Sequence, residues 1–123
     1  MPLSTGVALG DTGIKSQYFA GSGSAQYITG DASGGQGVRL RGLILTPNNG
    51  GAYNNDRWID FTDNVTSGKR LFRIFVQFGA ASSPDTSFSY CVKIPGDGIR
   101  FPNGIKFTPT SNYVTSVTVL YEG

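Results

Sequence analysis

The chain has 123 residues and a mass of 13.0 kDa, with 10 basic and 8 acidic side chains, no histidine and one cysteine. That length makes one domain; the missing histidine removes the commonest general base and metal ligand, and a lone cysteine excludes an internal disulfide. A net charge of +2 is too small to imply nucleic acid, and 15% charged residues, against about 25% in an ordinary globular chain, points to surface covered by a partner.

Residues 1–37 hold half of the 18 glycines and only three charges, Asp11, Lys15 and Asp31. Glycine at that density loses much backbone entropy on ordering. The segment is therefore expected to be an extended arm shaped by a neighbouring subunit, with packing on its own domain as the alternative. Leu3, Val7, Leu9, Ile14, Tyr18 and Phe19 are its candidate partner-binding residues. One strand is expected within it, over 24–29. The opening residues lack a basic stretch followed by an apolar core, so no signal peptide is expected. No apolar run approaches the roughly 18 residues of a membrane span, and no membrane partner is expected.

From Val38 onward, aromatic and β-branched runs alternate with glycine and proline every eight to twelve residues, the pattern of a small all-β sandwich over 38–123. Val38-Arg39-Leu40-Arg41 alternates apolar and basic residues, and Gly42 then marks a bulge or a close backbone approach. A turn follows over 47–51 and a strand over 57–62. The strongest strand spans 70–78, with Phe72, Ile74, Val76 and Phe78 on the core face. Its other face carries Leu71, Arg73, Phe75 and Gln77, where Leu71 and Phe75 complete the candidate partner-binding set. After a turn at Ser83-Pro84-Asp85 come Phe88, Tyr90, Val92 and Ile94 on one apolar face, with Cys91 expected as a small apolar filler. Two near-identical tetrads, GIRF at 98–101 and GIKF at 104–107, flank Pro102-Asn103 and predict a tight hairpin or a corner. The last strand, 113–121, turns Val117, Val119 and Tyr121 inward. Seven or eight strands are expected, and no helix.

Few constellations carry chemistry. Asp56, Asp60 and Asp63 form the densest acidic group, but an acid pair needs a cleft that drives its pKa values apart. Asp60 and Asp63 lie on opposite strand faces, and Asp63-Asn64 reads as a turn ahead of a calcium site. Gly34-Gly35-Gln36-Gly37 lacks the Lys-Ser/Thr of a phosphate loop. Basic and aromatic residues interleave over 69–75, as in a single-strand-binding sheet, yet any half-buried strand gives that alternation. Trp58 with Tyr53 would stack on a sugar, as in a carbohydrate-binding module, whereas a core tryptophan is the favoured reading. No catalytic residue, cofactor or metal is assigned, and no nucleic-acid partner.

The order of motifs resembles that of the small β-sandwich virion proteins of tailed bacteriophages, those of marine and cyanobacterial phages in particular. The resemblance rests on VRLRGLIL at 38–45, WIDFTD at 58–63, VKIPGDGIRF at 92–101 and VTSVTVLY at 114–121, and it covers 38–123 far better than the arm. It implies a jelly-roll-like, non-enzymatic virion protein. The favoured form is a capsid decoration (cement) protein that binds major-capsid subunits as a homotrimer, assembled in the host cytoplasm. The alternative is a protein of the tail or portal vertex.

Overall fold

A computed structural model describes residues 7–8, 13–29, 37–48, 57–76, 89–111 and 113–123. Every regular element among them is a strand: β1 (Val7–Ala8), β2 (Lys15–Ala20), β3 (Gln26–Ile28), β4 (Val38–Pro47), β5 (Trp58–Asp63), β6 (Arg70–Phe75), β7 (Tyr90–Lys93), β8 (Ile99–Phe101), β9 (Ile105–Phe107) and β10 (Val114–Glu122). They form two antiparallel sheets. The first runs β1-β2-β10-β4-β7, with β8 also on β4, and the second runs β3-β9-β5-β6.

The pairing is nested. β7 and β8 lie along one edge of β4, at Gly42–Leu45 and at Val38–Leu40, so together they act as one strand interrupted by a loop. Counted that way, β2 pairs with β10, β3 with β9, β4 with β7 and β8, and β5 with β6. Apart from the short β1, which adds to the outer edge of β2, the described strands thus nest as an antiparallel ribbon with β2 against β10. Two further pairings, β4 with β10 and β5 with β9, fold that ribbon into the two sheets.

Alternation sets the core. Val117, Val119 and Tyr121 of β10 face inward, as expected, and meet Leu40, Leu43 and Leu45 of β4 and Ile59 and Phe61 of β5. A strict period of two along β4 would turn Ile44 inward and Leu43 outward. Instead Leu120 and Tyr121 pair with Gly42 and Leu40, which leaves Arg41 as the extra residue of a bulge and switches the inward set from Val38 and Leu40 to Leu43 and Leu45. A Cβ on Gly42 would sit 2.9 Å from the Val92 carbonyl oxygen, so the glycine serves both the bulge and a close approach. In β6, Phe72 and Ile74 pack on the core, and Val76 just beyond it is buried. Phe78 and Phe88 lie outside the described residues.

Two expectations need correction, while the strand expected over 24–29 is present as β3. Residues 15–20 and 26–28 belong to the two sheets themselves: Phe19 is buried with its ring edge-on to Phe107 at 4.9 Å, and Ile28 is fully buried against β9. The polar sequence of β2 hides this, because its pairing partner is the distant β10. Cys91 is exposed and pairs across the sheet with the exposed edge of Ile44, because Tyr90 and Val92 take the inward positions. Of the two readings of the tetrads, the corner is the one found: β8 lies in the first sheet and β9 in the second, with Pro102-Asn103-Gly104 between them. Gly104 has φ +99°, and a Cβ there would stand 2.7 Å from the Ile28 carbonyl oxygen.

Since β2 and β3 supply strands and core residues, a chain starting at residue 38 is expected to lose cooperative thermal unfolding, as followed by circular dichroism. A shortened chain with an unchanged, sharp transition would mean that residues 1–37 are dispensable to the sandwich.

Candidate functional site

β5 sits inside the second sheet, between β9 and β6. Phe61 turns inward, stacks on Phe107 at 4.9 Å and lies 6.0 Å from Phe72, so Ile59 must also face in. The intervening residues, Trp58, Asp60 and Thr62, then face outward. Across the β5–β6 register, Trp58 stands opposite Phe75 and Asp60 opposite Arg73. The chemistry of the outer face follows from those two pairs.

Arg73 ties them together. Its guanidinium donates two hydrogen bonds to Asp60, Nε to Oδ1 at 2.6 Å and Nη2 to Oδ2 at 3.0 Å, the parallel geometry that makes arginine–carboxylate pairs specific. The same guanidinium lies over the Trp58 ring, 4.4 Å from its centroid. Arg70 adds a longer contact to Asp60 at 3.7 Å. The hydrogen bonds from Arg73 hold the Asp60 carboxyl below its ordinary pKa against the opposing pull of burial, with the charges of Arg73 and Arg70 adding to the effect. Asp60 in turn raises Arg73. Trp58 meets Phe75 edge-on at 5.9 Å. The favoured core position for Trp58 is therefore wrong: Ile59 and Phe61 fill the inward sites, and the indole is half-buried on the outside. Tyr53, its expected companion, lies outside the described residues, as does Asp56.

Beside this cluster lies an open cleft of about 360 Å³, walled by Trp58, Asp60, Lys106, Thr108, Thr110 and Tyr113. The 108–113 wall is closed by backbone bonds from Thr110 to Thr108, from Tyr113 to Thr110 and from Val114 to Thr110. Arg57, almost wholly buried, holds Tyr113 from beneath: it donates to the Tyr113 carbonyl at 2.8 Å and to the Asn48 carbonyl at 2.9 Å, and lies 5.6 Å from the Tyr113 ring centroid. Both aromatic walls of the cleft are thus braced by an arginine.

Two other acidic groups have structural work. Asp63 accepts from the Asn103 backbone NH at 2.8 Å and from Asn103 Nδ2 at 2.7 Å, which pins the β8–β9 corner to the end of β5. Its carboxylate serves a turn, as the sequence indicated. Glu122 pairs with Arg41, the bulge residue of β4. Among the described residues no three histidine, cysteine, aspartate or glutamate side chains gather as a metal site.

The described candidate partner-binding residues do not share one surface. Tyr18 is 64% exposed on the outside of the first sheet, whereas Phe75, 60% exposed, and Leu71 lie on the outside of the second. Ile14 is half-buried ahead of β2, and Phe19 belongs to the core, which removes it from any docking surface. Val7 falls in β1, with its side chain outside the described residues, as are Leu3 and Leu9. Sequence reasoning missed Lys106, Thr108, Thr110 and Tyr113, which reach Trp58 only through the β5–β9 pairing. No protein-family model, no curated protein and no solved structure matches the chain.

Asp60→Asn, which removes the charge that Arg73 grips, is expected to lower Tm by about 2–4 °C at pH 7. A carboxyl held low in the folded state stabilises above its unfolded pKa, about 3.9, and that stability is lost as pH falls through the folded value. The gap in Tm between the native chain and Asp60→Asn should therefore close in thermal melts taken progressively below about pH 4. A gap that stays constant down to about pH 2 would mean that the ion pair contributes nothing.

Proposed function

We propose that this chain is a non-enzymatic structural protein of a tailed-bacteriophage particle, a decoration (cement) protein with a jelly-roll sandwich that docks on neighbouring virion proteins. The observation that carries the reading is the nested pairing of β2 through β10, with β2 against β10, divided between two antiparallel sheets. Such a ribbon, wrapped into two sheets, is the pattern of the double-sheet jelly roll found in viral capsid and lectin domains. The step from that architecture to a virion role is one of fold analogy. It is joined by the resemblance of the 38–45, 58–63, 92–101 and 114–121 motifs to phage sandwich proteins.

The surface supports attachment better than turnover. Asp60 and Asp63 are held by different partners, Arg73 and Asn103, and so do not face each other as the carboxylate pair that acid–base catalysis uses. Phe75 and Leu71, by contrast, leave apolar surface in water on the edge strand of the second sheet. Full burial of such a side chain yields about 1.5–3 kcal/mol, part of which is lost to ordering on association. Attachment as a homotrimer multiplies modest contacts of this kind.

The test is incorporation into particles. Leu71→Ser with Phe75→Ser changes two outward side chains, so the fold should persist by circular dichroism while occupancy on purified particles falls by about tenfold or more. Full occupancy of the double variant would remove this face from the docking surface. Density for the chain away from the shell, at the tail or portal vertex, would replace the decoration reading.

A further inference from the structure

The cleft beside Trp58 has a makeup that docking through Phe75 and Leu71 does not require. The aromatic residues Trp58 and Tyr113 share its walls with a cation, Lys106, a carboxylate, Asp60, and the hydroxyls of Thr108 and Thr110, beside a third, Thr62, that donates to the Lys106 carbonyl at 3.2 Å. We infer that this cleft is a saccharide-binding site that takes a pyranose ring of a neutral oligosaccharide against Trp58 and Tyr113, with its hydroxyls met by Asp60, Lys106, Thr108 and Thr110.

The chemistry fits that ligand on four counts. One face of a pyranose is a sheet of C–H groups with slight positive charge, which suits the negative face of an indole or phenol ring. Each sugar hydroxyl both donates and accepts, so a wall that offers an ammonium donor, a carboxylate acceptor and two hydroxyls satisfies it better than a wall of one charge sign. Asp60 keeps accepting capacity while gripped by Arg73, because each carboxylate oxygen has a second lone pair. Lys106 lies on the same wall but outside the Arg73–Asp60–Arg70 ion network. The cleft, at about 360 Å³, falls at the small end of the range for ligand sites, which starts near 300 Å³, enough for one or two rings.

The site is also braced before any ligand arrives. Arg73 fixes Trp58 from one side of the ring, Arg57 fixes Tyr113, and the backbone bonds of 108–114 set the hydroxyl-bearing wall. Binding then orders little that is not ordered already, which lowers its entropic cost. A second groove, of about 170 Å³ between Gly37, Arg39, Glu122 and Gly123, has no aromatic wall and offers no such platform. A single strand of nucleic acid would also stack on Trp58, but it needs a run of unengaged cations along the backbone path. Here Arg73 and Arg70 are drawn onto Asp60. The inference concerns the cleft alone and stands apart from the particle assignment.

Trp58 is the chain's one tryptophan, so its emission reports directly on the cleft. The full chain is titrated with short oligosaccharides of glucose, of galactose and of N-acetylglucosamine, and with oligothymidylate, by fluorescence and by calorimetry. The expected result is a saturable response to at least one sugar series, with Kd in the millimolar range or tighter. Lys106→Ala and Thr110→Val should each weaken it by about tenfold, and Trp58→Ala should abolish the heat signal, with far-UV circular dichroism of the first two unchanged. Absence of a saturable response to all three sugar series at about 10 mM would overturn the inference. So would sugar affinity untouched by Lys106→Ala and Thr110→Val, or a response to oligothymidylate in place of sugar.

Discussion

The inward stack of Phe61 on Phe107 is the contact on which the rest turns. It joins β5 to β9, fixes which side of β5 belongs to the core, and by alternation sends Trp58 and Asp60 to the outer surface. Shifting β5 by one residue would turn Trp58 and Asp60 inward and expose Ile59 and Phe61. The desolvation cost of a carboxylate without its arginine makes that alternative strongly unfavourable. Core packing and outer-face chemistry are therefore one constraint seen from two sides.

With few charges available, the chain assigns several of the described ones to specific tasks. Arg73 and Asp60 lock the face of the second sheet, Arg41 and Glu122 fasten the bulge of β4 to the end of β10, and Asp63 secures the corner between the sheets. Arg57 braces the turn before β10 from inside, where its guanidinium replaces lost water with the carbonyls of Asn48 and Tyr113. What remains facing water on the described part of the second sheet includes Tyr27, Phe75 and Leu71, with Lys106 beside the cleft. The proposed docking face at Phe75 and Leu71 and the proposed saccharide cleft beside Trp58 are neighbouring parts of it, and the jelly roll proposed here is an architecture shared by viral capsid and lectin domains.

Much of the fold was legible because strand alternation is local. The inward sets Phe72–Ile74–Val76 and Val117–Val119–Tyr121, and the disturbance at Gly42, needed nothing beyond period two and the meaning of a glycine within a strand. What failed depended on partners far away in sequence. Lys15–Ala20 looks like a polar arm segment until β10 is laid beside it, and only then does Phe19 find Phe107. Cys91 and Trp58 were misjudged for a related reason: residue type favoured the interior, but the parity set by their neighbours decided otherwise. The ion pair of Asp60 with Arg73 was invisible because it follows from the register of β5 on β6. The cleft needed a further pairing still, that of β9 with β5.

The most direct test of this account is the accessibility of Trp58 in the free protein, read by its emission and by quenching with acrylamide. An indole half-buried on the outer face under Arg73 should emit at intermediate wavelength, be partly quenched, and become more quenchable when Arg73→Ala uncovers its ring. A strongly blue-shifted emission, resistant to acrylamide and indifferent to Arg73→Ala, would place Trp58 in the core and contradict the arrangement of the entire outer face.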